Sequence, residues 1–299
     1  MGQRRIGVMT LSVALRLGRV SNLPTVWSNV LVGTILAGQS DLNRGTLWML
    51  LAISLLYVGG MYLNDAFDRD IDARERPDRT IPSGLVSANT VFAAGFAMLL
   101  AGILATAWAV TQNASAVAFN ATASAVLLAG AILYYNFHHK ANALSPFFMG
   151  LCRVLAYITA GYAAVAAPGA ALFVLAIVTL SYLIGLTYAA KQEALDRLDR
   201  LWPLAFLTAP VLYGVWHATR APWLALVILV ALIVWIAFAL FLLHRRNKGD
   251  VPRAVVSLIA GISVVDALAL AIYGATAAAG LAILCFFLSL ALQRWISGT

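Results

Sequence analysis

Cysteine, histidine and acidic residues are all scarce in this 299-residue chain. Its two cysteines, Cys152 and Cys285, each lie inside an apolar run, which argues against a disulfide framework or a thiolate metal site. Its four histidines show no ligand spacing. Charged residues make up only 11% of the chain against 62% hydrophobic residues, and the mean hydropathy is +0.88, which excludes an ordinary soluble domain. The net charge of +8 would suggest nucleic acid in a soluble protein. In a membrane protein, basic excess instead sets orientation and favours anionic head groups or substrates, so membrane lipid is the expected partner and nucleic acid is not.

What the chain has in abundance is apolar runs of about 20 residues, the length that spans a bilayer. They fall near 22–38, 46–66, 88–110, 114–136, 144–167, 170–190, 201–218, 222–243, 252–273 and 276–296. The expected fold is an all-α polytopic integral membrane protein with nine or ten transmembrane helices, forming one domain over 1–299. Residues 6–15 follow two arginines in the manner of a signal-peptide core, but Arg16 and Arg19 come at once and no small-residue cleavage site follows. Residues 1–20 therefore read as a cytoplasmic amphipathic arm. With ten helices, seventeen basic residues fall on the side of the N-terminus and two, Arg44 and Arg220, on the other, which places the N-terminus in the cytoplasm.

Nine of the twelve carboxylates gather in two places. The first is Asn64-Asp65-Ala66-Phe67-Asp68-Arg69-Asp70-Ile71-Asp72 with Glu75 and Asp78 beyond it, and the second is Glu193-Ala194-Leu195-Asp196-Arg197-Leu198-Asp199. Asn64, Asp68 and Asp72 follow i, i+4, i+8 and share one helical stripe, with Asp65 and Asp70 pointing elsewhere; Glu193, Asp196 and Asp199 follow i, i+3, i+6. Two such stripes facing one cavity supply the hard oxygens that magnesium takes together with phosphate oxygens. Arg76, Arg79, Lys140, Lys191 and Arg200 stand close by, and a mixture of acids and bases suits a metal-bound diphosphate better than a bare cation. Each base also has a plainer reading as a positive-inside charge paired with an acid. The two segments match at Asp65-Ala66-Phe67-Asp68-Arg69 and Glu193-Ala194-Leu195-Asp196-Arg197, an offset of 128 residues, which suggests a parallel four-helix repeat.

At these residues the chain resembles the UbiA superfamily of intramembrane prenyltransferases. Asn64, Asp68 and Asp72 match the first signature of that family, and Arg76-Pro77-Asp78-Arg79-Thr80-Ile81-Pro82-Ser83-Gly84 is similar to its continuation, with Thr80 where proline is commoner. The likeness extends to Asn22–Gly33, Tyr134–Lys140 and Arg153. The second signature departs: aspartates four residues apart are usual, whereas Asp196 and Asp199 are three apart and Arg200 occupies the fourth place. Either Glu193 substitutes as a ligand or Arg200 contacts phosphate directly.

The resemblance implies a ring of helices around a central cavity, with magnesium ions holding an isoprenyl diphosphate donor at its cytoplasmic rim. The metal ligands would come from Asn64, Asp68, Asp72, Glu193, Asp196 and Asp199, with Asn64, Asp68, Asp72 and Asp196 at the centre of the chemistry. Arg76, Arg79, Lys140, Arg153, Lys191 and Arg200 would hold diphosphate. The expected function is magnesium-dependent prenyl transfer to a small acceptor, in the bacterial plasma membrane. A cyclase or hydrolase of the same donor and a cation-coupled transporter are the alternatives. The candidate cation shields are Tyr62, Tyr134, Tyr135, Tyr157 and Tyr188. Arg153, inside an apolar run, is costly unless it faces the cavity, where it binds diphosphate or acceptor. Asn29 orients an acceptor or makes an interhelical hydrogen bond, and Asp266 is an acceptor-side acid or base or a buried structural partner.

Overall fold

The computed structural model describes residues 9–112, 118–138, 142–191 and 202–296. Among the described residues the secondary structure is entirely helical: α1 (Leu11–Leu17), α2 (Leu23–Ala37), α3 (Arg44–Phe67), α4 (Arg69–Glu75), α5 (Ala88–Thr111), α6 (Ala118–His138), α7 (Ser145–Ala164), α8 (Ala170–Lys191), α9 (Ala209–His217), α10 (Trp223–Arg245), α11 (Asp250–Ile272) and α12 (Thr276–Leu292). Eight of the helical segments are long and apolar enough to cross a membrane. The chain is an integral membrane protein.

Local chemistry sets the helix ends. Asn43 Oδ1 accepts from Thr46 N at 3.1 Å while Thr46 Oγ1 accepts from Asn43 N at 3.3 Å, a reciprocal cap that starts α3. Ser87 Oγ accepts from Thr90 N at 3.1 Å at the start of α5. Asp250 opens α11 by taking the Arg245 guanidinium fork, at 2.7 Å to each oxygen, together with Asn247 N at 2.9 Å. Asp250 therefore works as a corner brace.

The ten apolar runs each contain a helical segment, but two are shorter than a full crossing. The seventh is a 3-10 helix, Trp202–Thr208, followed by the nine-residue α9, because Pro203 and Pro210 each remove a backbone donor and force a break. The last is α12, at 17 residues. The first run opens as a 3-10 turn, Val20–Asn22, and becomes α-helical at Leu23 with Pro24 in the first turn, where its missing N–H costs nothing.

Two apolar cores share helices α2 and α7. One joins α2, α3, α5, α6 and α7, and the other joins α2 with α7 to α12. α2 packs on α3, α7, α8, α11 and α12 and acts as the hub. Because lipid is as apolar as leucine, helix contacts in a membrane depend on close approach at small residues. At Gly33 on α2 a Cβ would stand 2.7 Å from both Tyr157 O and Ala160 Cβ of α7, and at Gly59 on α3 it would stand 2.9 Å from Gly95 O of α5. Outward-facing Leu104, Leu127, Ile177 and Phe241 are uncovered, forming the surface that meets lipid.

Candidate active site

A cavity of about 800 Å³ opens between α2, α3, α6, α7, α8 and α11. Its walls are apolar at Val26, Ile53, Leu128, Ile132, Ala156 and Ile262. Polar side chains concentrate at two levels. Asn64, Asp68, Arg76, Arg79, Asn136 and Lys191 mark one end, and Asn29, Tyr57 and Arg153 lie further along the walls.

The first acidic segment forms the rim. α3 ends at Phe67 and α4 begins at Arg69, yet Asp68 N bonds Asn64 O at 3.0 Å and Asp72 N bonds Asp68 O at 2.9 Å, so the i, i+4 ladder continues across the junction. Asn64, Asp68 and Asp72 all become buried on one stripe, as their spacing predicts. Asn64 Nδ2 donates to Asn136 Oδ1 at 3.2 Å, and Asn136 Nδ2 donates to Gly60 O at 3.0 Å, which ties α6 to α3 beneath the acids.

Two arginines enter this cluster. Arg79, on the return from α4, donates to Asp72 at 3.0 Å and lies 3.5 Å from Asp65. Arg19, from the N-terminal arm, bonds Asp65 at 3.2 Å and Asn64 Oδ1 at 3.3 Å. Asp65 therefore does not point away from the stripe; Arg79 and Arg19 draw it into the same charge network. Asp70, by contrast, is exposed beside Arg69, as expected. Arg19 holds a left-handed backbone at φ 41°, a conformation that costs a non-glycine residue roughly 1–3 kcal/mol and persists only where surroundings fix it. Its side-chain bonds to α3 do so.

The floor is a second polar network. Arg153 Nη1 donates to Asn29 Oδ1 at 2.6 Å, Arg153 Nη2 donates to Thr25 Oγ1 at 2.9 Å, and the guanidinium lies over the Tyr57 ring, 5.8 Å from its centroid. Asn29 Nδ2 in turn donates to Asp266 Oδ2 at 2.8 Å. Asp266 also accepts from Ser28 Oγ at 2.5 Å and from the Tyr157 hydroxyl, and it is fully buried. An acid that would be prohibitive alone in the membrane is thus saturated with donors and linked through one amide to a cation.

The structure brings Asn64, Asp68, Arg76, Arg79, Arg153 and Lys191 to one cavity, while Asp72 sits beside it, bound to Arg79. Lys140, Glu193, Asp196, Asp199 and Arg200, and with them the internal repeat, lie outside the described residues. Of the proposed cation shields, Tyr135 lines the cavity. Tyr62 instead anchors the N-terminal arm, donating to Ala14 O at 3.1 Å; Tyr157 is committed to Asp266; and Tyr134 packs against Phe148 with the rings tilted at 46°. Sequence reading missed Arg19, Tyr57 and Asn136. Arg19 carried one usable signal, an arginine at the boundary of the first apolar run, and Asn136 lies in the Tyr134–Lys140 stretch that resembles the family; Tyr57 carried none, since aromatic residues recur throughout the helices.

The fold and site define a helical membrane protein with an acid-rimmed, apolar cavity. The sequence profile of the UbiA prenyltransferase family matches residues 24–200. The chain belongs to that family. It is 32% identical over 96 residues to digeranylgeranylglyceryl phosphate synthase of Saccharolobus solfataricus, covering 32% of this chain and 34% of the relative. It is 38% identical over 85 residues to the chloroplastic chlorophyll synthase of Oryza sativa, covering 27% and 22% of the two chains. These matched segments span about a third or less of the relatives' length. A solved structure of a digeranylgeranylglyceryl phosphate synthase superposes with a TM-score of 0.62 at 20% identity, over 89% of this chain and 99% of that one, so the fold is shared across nearly the whole molecule.

Proposed function

We propose that the protein is a single-domain prenyltransferase that moves an isoprenyl group from a prenyl diphosphate to a small acceptor inside the membrane. The observation that carries this reading is a buried carboxylate stripe with arginines at the edge of a cavity otherwise lined by apolar side chains. The names of its relatives agree with it. The positive-inside asymmetry supports placing the rim at the cytoplasmic face, and a bacterial plasma membrane remains the expected location.

Among the described residues no three His, Cys, Asp or Glu side chains stand together as a metal site. Magnesium needs fewer, because it keeps waters and takes substrate phosphate oxygens beside one or two carboxylates. Asp68 and Asn64 at the cavity, with Asp72 next to them, fit that requirement. Glu193, Asp196 and Asp199 are proposed to supply the opposing ligands, with Asp196 the most important because both the repeat and the family signature include it. When bound, magnesium would neutralise charge on the departing diphosphate.

The chain's own residues do the rest. Arg76, Arg79, Lys140, Lys191 and Arg200 are proposed to donate to phosphate oxygens, holding the donor with its chain in the apolar cavity. The bond from the allylic C1 to the diphosphate oxygen breaks with its electron pair leaving on diphosphate; an acceptor lone pair forms the new bond to C1, and the acceptor's proton leaves with the diphosphate or with water. Ile53, Leu128, Ile132 and Ala156 limit water access, and the Tyr135 ring, next to Asn136 on the rim side, is proposed to face the developing cation. A transporter reading is disfavoured, because such proteins place their ion ligands at the midplane on broken helices, whereas these acids close a helix end.

The test is to incubate the purified protein with radiolabelled geranylgeranyl diphosphate and a lipid extract, with magnesium or EDTA. Prenyl transfer predicts a labelled, extractable product and inorganic diphosphate, lost with EDTA and restored by magnesium. Flux across proteoliposomes without diphosphate release would refute it.

A further inference from the structure

We propose that Arg153 is an anchor for an anionic oxygen group, a carboxylate or a phosphate, on the molecule that shares the cavity with the donor. On the prenyl-transfer reading, on which this assignment rests for its biological meaning, that molecule is the acceptor.

The first support is depth. Arg153 packs over Tyr57, which precedes Asn64 by seven residues on α3, about 10 Å of helical rise from the rim. A diphosphate held at Asp68 and Arg79 does not extend to that level, and the wall between carries Gly60, Met61 and Ile132.

The second support is how the guanidinium is held. Arg19 and Arg79 at the rim each contact a carboxylate directly, as does Arg245 at the loop corner. No carboxylate contacts Arg153 directly among the described residues. Two of its five N–H donors bind neutral oxygens, of Asn29 and Thr25, three have no partner among the described residues, and Arg153 lines the cavity. Asn29 cannot turn over, because the reversed amide would set its NH2 against the guanidinium and its carbonyl against the Asp266 carboxylate. Asp266 thereby fixes the charge and aim of Arg153 without occupying its fork. An oriented, uncommitted guanidinium edge in an apolar chamber is suited to a planar carboxylate or a phosphate.

The test uses the full chain purified in a non-ionic detergent. A non-hydrolysable thiolo analogue of geranylgeranyl diphosphate, with magnesium, first saturates the rim. Calorimetry then compares three probes with the same tail: dodecyl phosphate, dodecanoate and dodecanol. In the unmodified protein the anionic probes should bind tighter than dodecanol by about tenfold or more. Whichever head group is preferred identifies phosphate or carboxylate. Arg153→Gln alone can fail to fold by leaving Asp266 without its cation, so the informative variant is the charge-neutral pair Arg153→Gln with Asp266→Asn. That double variant should lose the anionic preference while its affinity for the donor analogue stays within about twofold. Persistence of the preference in the double variant would overturn the proposal, and so would a parallel loss of donor-analogue binding, which would assign Arg153 to the diphosphate. If the unmodified protein binds no donor analogue but the anionic preference still depends on Arg153, the anchor stands and the prenyl-transfer reading falls.

Discussion

At the rim of the cavity, Arg79 meets Asp72 across seven residues of chain and Asp65 across fourteen; at its floor, Arg153 reaches Asn29 across 124 residues and Asn29 reaches Asp266 across 237. Both networks join acids to a cation, but their construction differs. Most of the rim is folded from one helix end and its return loop, with Arg19 added from the N-terminal arm. The floor exists only once α2, α7 and α11 have packed together. The rim keeps Arg19 and Arg79 on carboxylates. The floor keeps its carboxylate on neutral donors, and among the described residues no carboxylate contacts its guanidinium.

The largest expected effect falls at the rim. Asp68→Ala or Asp72→Ala should reduce transfer by on the order of 10²–10³-fold or more, since each removes charge from the place where leaving-group charge develops. The membrane fold should survive, because the helical ladder through Asp68 is made by backbone atoms. Turnover of the purified variants, with helicity by circular dichroism, is the measurement. Near-normal turnover in either folded variant would remove the rim from the mechanism.

That contrast also explains what was legible. The periodicity of Asn64, Asp68 and Asp72 survives in the structure because an i, i+4 pattern is a local property that tertiary packing did not override. The ten apolar runs were legible for the same reason, although Pro203 and Pro210 shorten the seventh in a way hydropathy alone does not weigh. Asp65 was misread because its partners Arg19 and Arg79 come from outside the helix, and no helical wheel contains them. For Asn29, Arg153 and Asp266 the sequence showed three isolated intramembrane polar residues and the cost of burying them. That they resolve one another's cost is visible only in three dimensions.

At the floor, Asp266→Ala should destabilise more than Asp266→Asn. Removing one partner of a buried charge system costs about 3–5 kcal/mol, whereas asparagine keeps polar atoms opposite Ser28 and Tyr157. Thermal unfolding in detergent would show the order, and Arg153→Gln added to Asp266→Asn should regain part of the loss. If the second substitution instead deepens the loss, the two residues do not act as a charge pair across Asn29.

Arg19→Ala is expected to act more mildly. It removes one rim cation, and alanine bears the same left-handed backbone cost as arginine, so stability should change little while donor-analogue affinity falls by about tenfold, the value of one charge-assisted contact. Affinity unchanged within error would confine Arg19 to a role in docking the N-terminal arm.

The smallest and most selective change is Gly33→Ala. A Cβ there meets Tyr157 O and Ala160 Cβ at 2.7 Å, and the first is backbone, so α2 and α7 must separate. Overpacking of this kind costs about 1–3 kcal/mol. α2 carries Asn29 and α7 carries Arg153 and Tyr157, so the separation lengthens the bonds of the floor and leaves Asp68, Asp72 and Arg79 untouched. Gly130→Ala is the matched control, because a Cβ at that helical position meets nothing within 4 Å and should be neutral or slightly stabilising. The expected outcome is that Gly33→Ala weakens binding of an anionic probe with the donor analogue in place, and leaves binding of the analogue itself within about twofold of Gly130→Ala. Equal weakening of both ligands would show that rim and floor respond to helix packing as one unit, and the division between a locally built rim and a tertiary floor would not hold.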